Sequence, residues 1–181
     1  MKRNRFQAVG LVTLAAVGLA ILTHLIPPLT PGVAAGPELN PAGGGGSALS
    51  INGSTFVPLS SDVVFHTGSG GGVAVTGGTD RTMRAPVILP DGAEVSGITL
   101  YYYDGTSANM SAVLWRWDKG AGLGIGPPAA SVGSTGYGNV YSAANASFAV
   151  IDNRRYSYLV QVDWEAPSSL LRLMRVVVVY N

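Results

Sequence analysis

The chain has 181 residues, of which 47% are hydrophobic and only 12% charged, with 25 Gly, 11 Pro and no Cys. That length holds at most one ordinary domain, and the lack of sulfhydryls excludes disulfide scaffolds, cysteine nucleophiles and thiolate metal sites. The formal charge is +1, yet Lys2, Arg3 and Arg5 supply three of the eleven basic residues, leaving eight against ten acidic ones over the rest. A nucleic-acid partner would need a basic stripe, which this balance does not provide.

In chain order, the basic start leads into Phe6 to Ile26, FQAVGLVTLAAVGLAILTHLI, an apolar run about one bilayer long as a helix. Pro27, Pro28 and Pro31 end it, and Val33-Ala34-Ala35 offers the small side chains a signal peptidase accepts, so cleavage before Gly36 is expected. A retained signal anchor is the competing reading, because the run exceeds most cleaved apolar cores. Either way the remainder is secreted or at the cell surface, and it meets a membrane only through the N-terminal segment if that stays uncleaved. Residues 1–35 are therefore assigned to the leader and 36–53 to a flexible Gly/Pro/Ser linker, since GPELNPAGGGGSALS lacks the apolar bulk to offset the entropy of ordering it. Its Ala48, Leu49 and Ile51 would make only a weak donor strand for a neighbouring sandwich.

Residues 54–181 read as an all-β domain. Short runs rich in Val, Tyr, Trp and Thr are punctuated by Gly, Pro, Asn and Asp, and no later stretch sustains helical apolar spacing. The expected strands are 55–59, 63–66, 72–76, 83–87, 95–103, 111–117, 140–141, 147–151, 156–164 and 170–180. Turns at Asp91-Gly92, Asp104-Gly105 and Asp152-Asn153 separate several of them. Ten short strands predict a two-sheet antiparallel β-sandwich of jelly-roll type.

The run Leu89-Pro90-Asp91-Gly92-Ala93-Glu94-Val95-Ser96-Gly97-Ile98, then Tyr101-Tyr102-Tyr103-Asp104 and Leu114-Trp115-Arg116, resembles a pattern in secreted bacterial β-sandwich proteins of unassigned function. In those proteins a Tyr-rich strand, as in Asn153 to Tyr158, and a hydrophobic last strand close the domain. The resemblance covers about Phe56 to Tyr180 and implies the sandwich architecture, with no catalytic residues to carry over.

Alternation assigns faces. Tyr156, Tyr158, Val160, Val162 and Trp164 should point into the core, as should Ile98, Leu100 and Tyr102, which turns Tyr101 and Tyr103 outward. For Val113, Trp115 and Trp117 against Ala112, Leu114 and Arg116 the pattern does not say which side is buried. Val176, Val177, Val178 and Val179 make both faces of the last strand apolar, so that strand is either central in its sheet or an interface for self-association or another surface component.

Catalytic patterns are sparse. His66 is the one histidine past the leader, no Gly-x-Ser-x-Gly elbow is present, and the glycines at 68 and 70–72 lack the Lys-Ser/Thr of a phosphate cradle. No metal site and no cofactor are assigned. Calcium is the one candidate weighed, through side-chain oxygens of Asp104, Asn109 and Asp118. A glycoside-type hydrolase would need two carboxylates facing across a cleft, and no spacing singles out a pair.

The expected function is a non-catalytic extracellular or cell-surface structural or interaction module. The alternative is carbohydrate binding, in which Tyr101 and Tyr103 on one strand and Trp115 and Trp117 on the next join into one aromatic platform for a polysaccharide, if their faces coincide.

Overall fold

A computed structural model describes residues 46–181 apart from Ser69, Ser134 and Thr135, so the expected leader and most of the expected linker lie outside the described residues. Twelve strands follow in chain order: β1 (Ser47–Asn52), β2 (Val57–Pro58), β3 (Val64–Thr67), β4 (Val73–Gly77), β5 (Thr82–Val87), β6 (Val95–Asp104), β7 (Met110–Asp118), β8 (Ala121–Gly124), β9 (Ala129–Ala130), β10 (Gly136–Ala143), β11 (Ser157–Trp164) and β12 (Leu171–Tyr180). They form two six-stranded antiparallel sheets. The first runs β10-β6-β12-β4-β3, with β1 also pairing β12. The second runs β2-β5-β11-β7-β8, with β9 also pairing β7. The domain is an all-β two-sheet sandwich, as its alternation requires.

The core lies between the sheets. Ile98, Leu100, Tyr102, Val176 and Val178 from the first meet Met83, Ala85, Leu114, Val160 and Val162 from the second in one apolar cluster. Leaving β-branched and aromatic side chains of period two on one face of each strand is what drives these pleated ribbons together. Tyr158 and Trp164 are buried as well, with Asp152 N–H donating to Tyr158 Oη at 2.8 Å and Trp164 Nε1 donating to the Leu171 carbonyl at 3.2 Å. On β7 the structure settles the open question of sidedness: Ala112 and Leu114 face the core, which turns Trp115 and Trp117 outward.

Strands β8 and β9 fall where none is expected and β10 begins at Gly136 rather than at 140, while two further differences change the reading of the chain. Ser47–Asn52, assigned to the spacer, is strand β1, in register with β12 from Ser47 opposite Tyr180 to Asn52 opposite Arg175. Its alternation is short, but Ile51 finds a place in the core and β12 offers six residues of unpaired edge, a tertiary gain that local composition does not reveal. Ser147–Ile151 is not a strand: Ala146–Phe148 is a 3-10 turn capped by the Asn145 side chain, and Val150 makes only an isolated bridge to Glu94.

The last strand, β12, is central. It lies between β6 on one side and β1 and β4 on the other. Val176 and Val178 are fully buried and Val179 nearly so, with Val177 half-buried on the outer side. The expectation that Val176, Val177, Val178 and Val179 form an interface is thereby corrected: neighbouring strands and the opposite sheet already cover Val176, Val178 and Val179, and only Val177 keeps a half-open outer side.

A one-residue bulge interrupts β12 at Met174, where Leu173 opposes Tyr102 and Arg175 opposes Tyr101. Glycines admit it, because a Cβ on Gly53 would stand 2.3 Å from the Leu173 carbonyl oxygen and one on Gly72 would stand 2.7 Å from the Met174 sulfur. The bulge reverses the parity of the strand, so Arg172 and Arg175, three residues apart, emerge on the same outward face.

Candidate functional site

The outward face of the first sheet is built from three adjacent strands. Tyr137, Asn139 and Tyr141 of β10 stand opposite Tyr103, Tyr101 and Thr99 of β6, which in turn stand opposite Arg172, Arg175 and Val177 of β12. Rows two residues apart are separated by about 6.6 Å and neighbouring strands by about 4.8 Å, so the face is a grid of rings and polar groups.

Each ring is fixed by its neighbours. Tyr137 meets Tyr103 edge to face with centroids 5.0 Å apart. The guanidinium of Arg175 lies 4.1 Å from the centre of Tyr101, and that of Arg172 lies 5.7 Å from Tyr103 while its Nε donates to the Ser169 carbonyl at 2.7 Å. Tyr141 donates its hydroxyl to the Ser96 carbonyl at 2.8 Å and lies across Gly97, where a Cβ would come within 2.6 Å of the phenol oxygen. Gly138 plays the matching part on the inner side, since a Cβ there would stand 2.7 Å from the buried Tyr102 ring and push β10 off the sheet. The most open rings are Tyr137, 63% exposed, and Tyr141, 40% exposed. Tyr101 and Tyr103 are half-buried beside them.

The outward face of the second sheet is different. Trp115 and Trp117 lie 6.4 Å apart over Gly122, with their indole N–H groups buried and unpartnered among the described residues. Arg84 Nε donates to Gln161 Oε1 at 3.0 Å, Thr82 Oγ1 to Asp163 Oδ1 at 2.7 Å and Gln161 Nε2 to Asp163 Oδ2 at 2.9 Å, so these polar groups serve one another. Exposed Pro86 and Ile88 continue the apolar surface beside Leu159 and Trp115.

The expected single platform is therefore corrected. Tyr101 and Tyr103 belong to one sheet and Trp115 and Trp117 to the other, and both pairs point outward, so the two pairs look in opposite directions. The platform required β6 and β7 to pair with their outward faces coinciding, whereas the chain crosses from one sheet to the other between them. It missed Tyr137, Asn139 and Tyr141, although their period-two spacing is visible. It also missed Arg172 and Arg175, whose shared face depends on the bulge.

The candidate calcium ligands are not gathered. Asp104 is fully buried and accepts from Thr106 N–H at 3.0 Å and Ser131 Oγ at 2.9 Å. Asp118 pairs with Arg155 at 3.3 Å, at the far end of β7 from Asn109, whose N–H donates to Glu165 at 3.0 Å. His66 lies exposed on edge strand β3, and no group of three His, Asp or Glu side chains gathers among the described residues. A surface hollow of about 280 Å³ has Asn109, Ser111, Asp163 and Glu165 in its wall. Glu165 accepts from Asn109, and Asp163 accepts from Thr82 and Gln161.

No family model matches the sequence, and no curated protein sequence matches it. Several solved structures are similar in fold. A family 35 carbohydrate-binding module from Clostridium thermocellum is 14% identical, with a TM-score of 0.48 over 73% of this chain and 97% of that one. A family 6 module from Clostridium stercorarium, in complex with cellobiose, is 12% identical, with a TM-score of 0.47 over 72% and 92%. An exo-beta-1,3-galactanase from Phanerochaete chrysosporium, solved with galactose, is 16% identical, with a TM-score of 0.47 over 73% of this chain, which spans only 29% of that enzyme. At such identities the likeness concerns the sandwich fold alone.

Proposed function

We propose that the domain is a non-catalytic carbohydrate-binding module that holds a polysaccharide on the outward face of β10, β6 and β12. The observation that carries this is the pair of open rings Tyr137 and Tyr141 with Asn139 between them, flanked by Tyr101, Tyr103, Arg172 and Arg175. Sugar rings stack their C–H faces on exposed aromatics, while amide and guanidinium groups bond the hydroxyls. Tyr137 and Tyr141 are four residues apart, about 13 Å along the strand, so the ligand is an oligosaccharide bridging both rather than a lone sugar. The ring-to-ring, ring-to-guanidinium and hydrogen-bond contacts across the face reduce the side-chain entropy lost on binding. The basic start and apolar run of residues 2–26 support delivery of this domain outside the cytoplasm, where such polymers are met.

Affinity electrophoresis of the purified chain through gels containing plant and microbial polysaccharides tests the reading. At least one polymer should retard migration, and Tyr137→Ala or Tyr141→Ala should weaken that binding about tenfold, the loss of one stacking contact worth about 1.4 kcal/mol. No retardation by any polymer, or retardation unchanged in both variants, would overturn it.

A second reading, self-association, rests on the other face, where Ile88 is 86% exposed just past Pro86, which stands opposite Leu159 and, across it, Trp115. Sedimentation of the wild type and Ile88→Lys across a concentration series tests it: a monomer at every concentration removes it.

A further inference from the structure

We propose, building on the carbohydrate reading of this same face, that its ligand is an acidic polysaccharide whose sugars carry carboxylates, that is, a uronate-containing chain. The charge on the face points there. Arg172 and Arg175 are both exposed on it, and no Asp or Glu occupies an outward position of β1, β6, β10 or β12, Asp104 being turned inward and buried. Among the described residues the ion pair formed is Arg155 with Asp118, outside this face, so neither guanidinium of the grid is neutralised by the protein.

The two arginines are also placed rather than merely present. Without the bulge at Met174 they would emerge on opposite sides of β12, one of them into the core, and Gly53 and Gly72 are what let the bulge form. Once outward, each guanidinium is held against a tyrosine, Arg175 on Tyr101 and Arg172 near Tyr103, and Arg172 is tied further to the Ser169 carbonyl. A guanidinium so oriented offers a planar fork that matches a carboxylate in two-point contact, and little side-chain entropy is left to lose. The arginine stripe of β12 runs parallel to the open tyrosine stripe of β10, two strand spacings or about 10 Å away with the β6 tyrosines between. A chain lying along β10 and β6 thus has one edge turned toward both positive charges. The equatorial carboxylate of a uronate projects from the edge of its ring, so a sugar stacked on the β10 or β6 tyrosines has an edge carboxylate within the span of that stripe. Exposed His66, beyond β4 on the same sheet, adds no negative charge to compete.

The test uses a matched pair of polymers with one backbone, polygalacturonate and its fully methyl-esterified form, with a sulfated galactan as a third probe. Titrations follow binding to the full chain at low and moderate salt. Polygalacturonate should bind at least about tenfold more tightly than its ester, the gain expected from one charge-assisted contact, and the preference should shrink with salt. Arg172→Gln and Arg175→Gln, both exposed changes that should leave the melting temperature unchanged, should each remove most of that preference, whereas Arg154→Gln, on a distant turn, should not. Tyr137→Ala should weaken binding of the acid and the ester alike. Equal binding of acid and ester would overturn this inference and leave the carbohydrate reading standing. Preference for the sulfated galactan over polygalacturonate would overturn the carboxylate assignment. Binding of no polysaccharide would overturn both.

Discussion

Truncating Ile51 to Ala separates a structural strand from a spacer. Ile51 stands opposite Val176 in the β1–β12 ladder and is only 9% exposed. The substitution removes three buried carbons, worth about 2.4 kcal/mol at about 0.8 kcal/mol each, and the cavity left between β1 and the opposite sheet adds to that. For a domain of this size a loss of about 2.5 kcal/mol lowers the melting temperature by about 10 °C. Leu49→Ala, at a half-buried position of the same face, should cost about half as much. Ser50→Ala, exposed on the outer side, should stay within about 0.5 kcal/mol of wild type. Thermal unfolding followed by near-ultraviolet circular dichroism reads all three. If the three variants melt together with the wild type, residues 47–52 are not part of the folded domain and the pairing of β12 given above is wrong.

Other consequences are more local. Asp104→Ala should destabilise the domain by about 2–4 kcal/mol, because it leaves Ser131 and the Thr106 N–H without their acceptor in a site closed to water, and Asp104→Asn should recover part of the loss; urea unfolding measures both. Tyr158→Phe removes the acceptor of the Asp152 N–H and should cost about 1–2 kcal/mol by the same assay. Asp62 accepts hydrogen bonds from the Ser60 and Thr79 hydroxyls and from the Thr79 and Asp80 N–H groups, which hold its carboxyl well below the usual carboxylate range. A carboxyl lowered by folding contributes stability that is complete above its unfolded pKa of about 3.9 and is lost as pH falls through the folded value. The melting-temperature advantage of wild type over Asp62→Asn should therefore be constant from neutral pH to about 5 and shrink below about 4; an advantage that persists unchanged at pH 2 would contradict that account.

Much of the sandwich is legible in the residues because burial writes a period of two into a strand. Tyr158, Val160, Val162 and Trp164 face inward as their spacing requires, and Ile98, Leu100 and Tyr102 do the same on β6. The valine run of β12 is apolar on both faces for the reason central strands are: the inner side meets the other sheet and the outer side is half covered by neighbours. What spacing cannot convey is which strands share a sheet. Tyr101 with Tyr103 and Trp115 with Trp117 are adjacent in sequence and outward in both cases, yet the crossover between β6 and β7 puts them on opposite faces. Nor can it convey a bulge. Arg172 and Arg175 read as opposite-facing until Met174 is found unpaired, and β1 reads as linker until the open edge of β12 is known. The candidate face therefore combines residues visible as outward tyrosines with partners that only the pairing of strands reveals.

What the outward tyrosine face does is decided by where a polysaccharide sits. Titrating polygalacturonate into the isotopically labelled chain and following aromatic ring and indole signals by NMR locates it directly. Ring resonances of Tyr137, Tyr141, Tyr101 and Tyr103 should shift in a saturable manner while the Trp115 and Trp117 indole signals stay still. Saturable shifts confined to the two tryptophans, or no shifts at any concentration of this polymer or of the neutral ones, would contradict it.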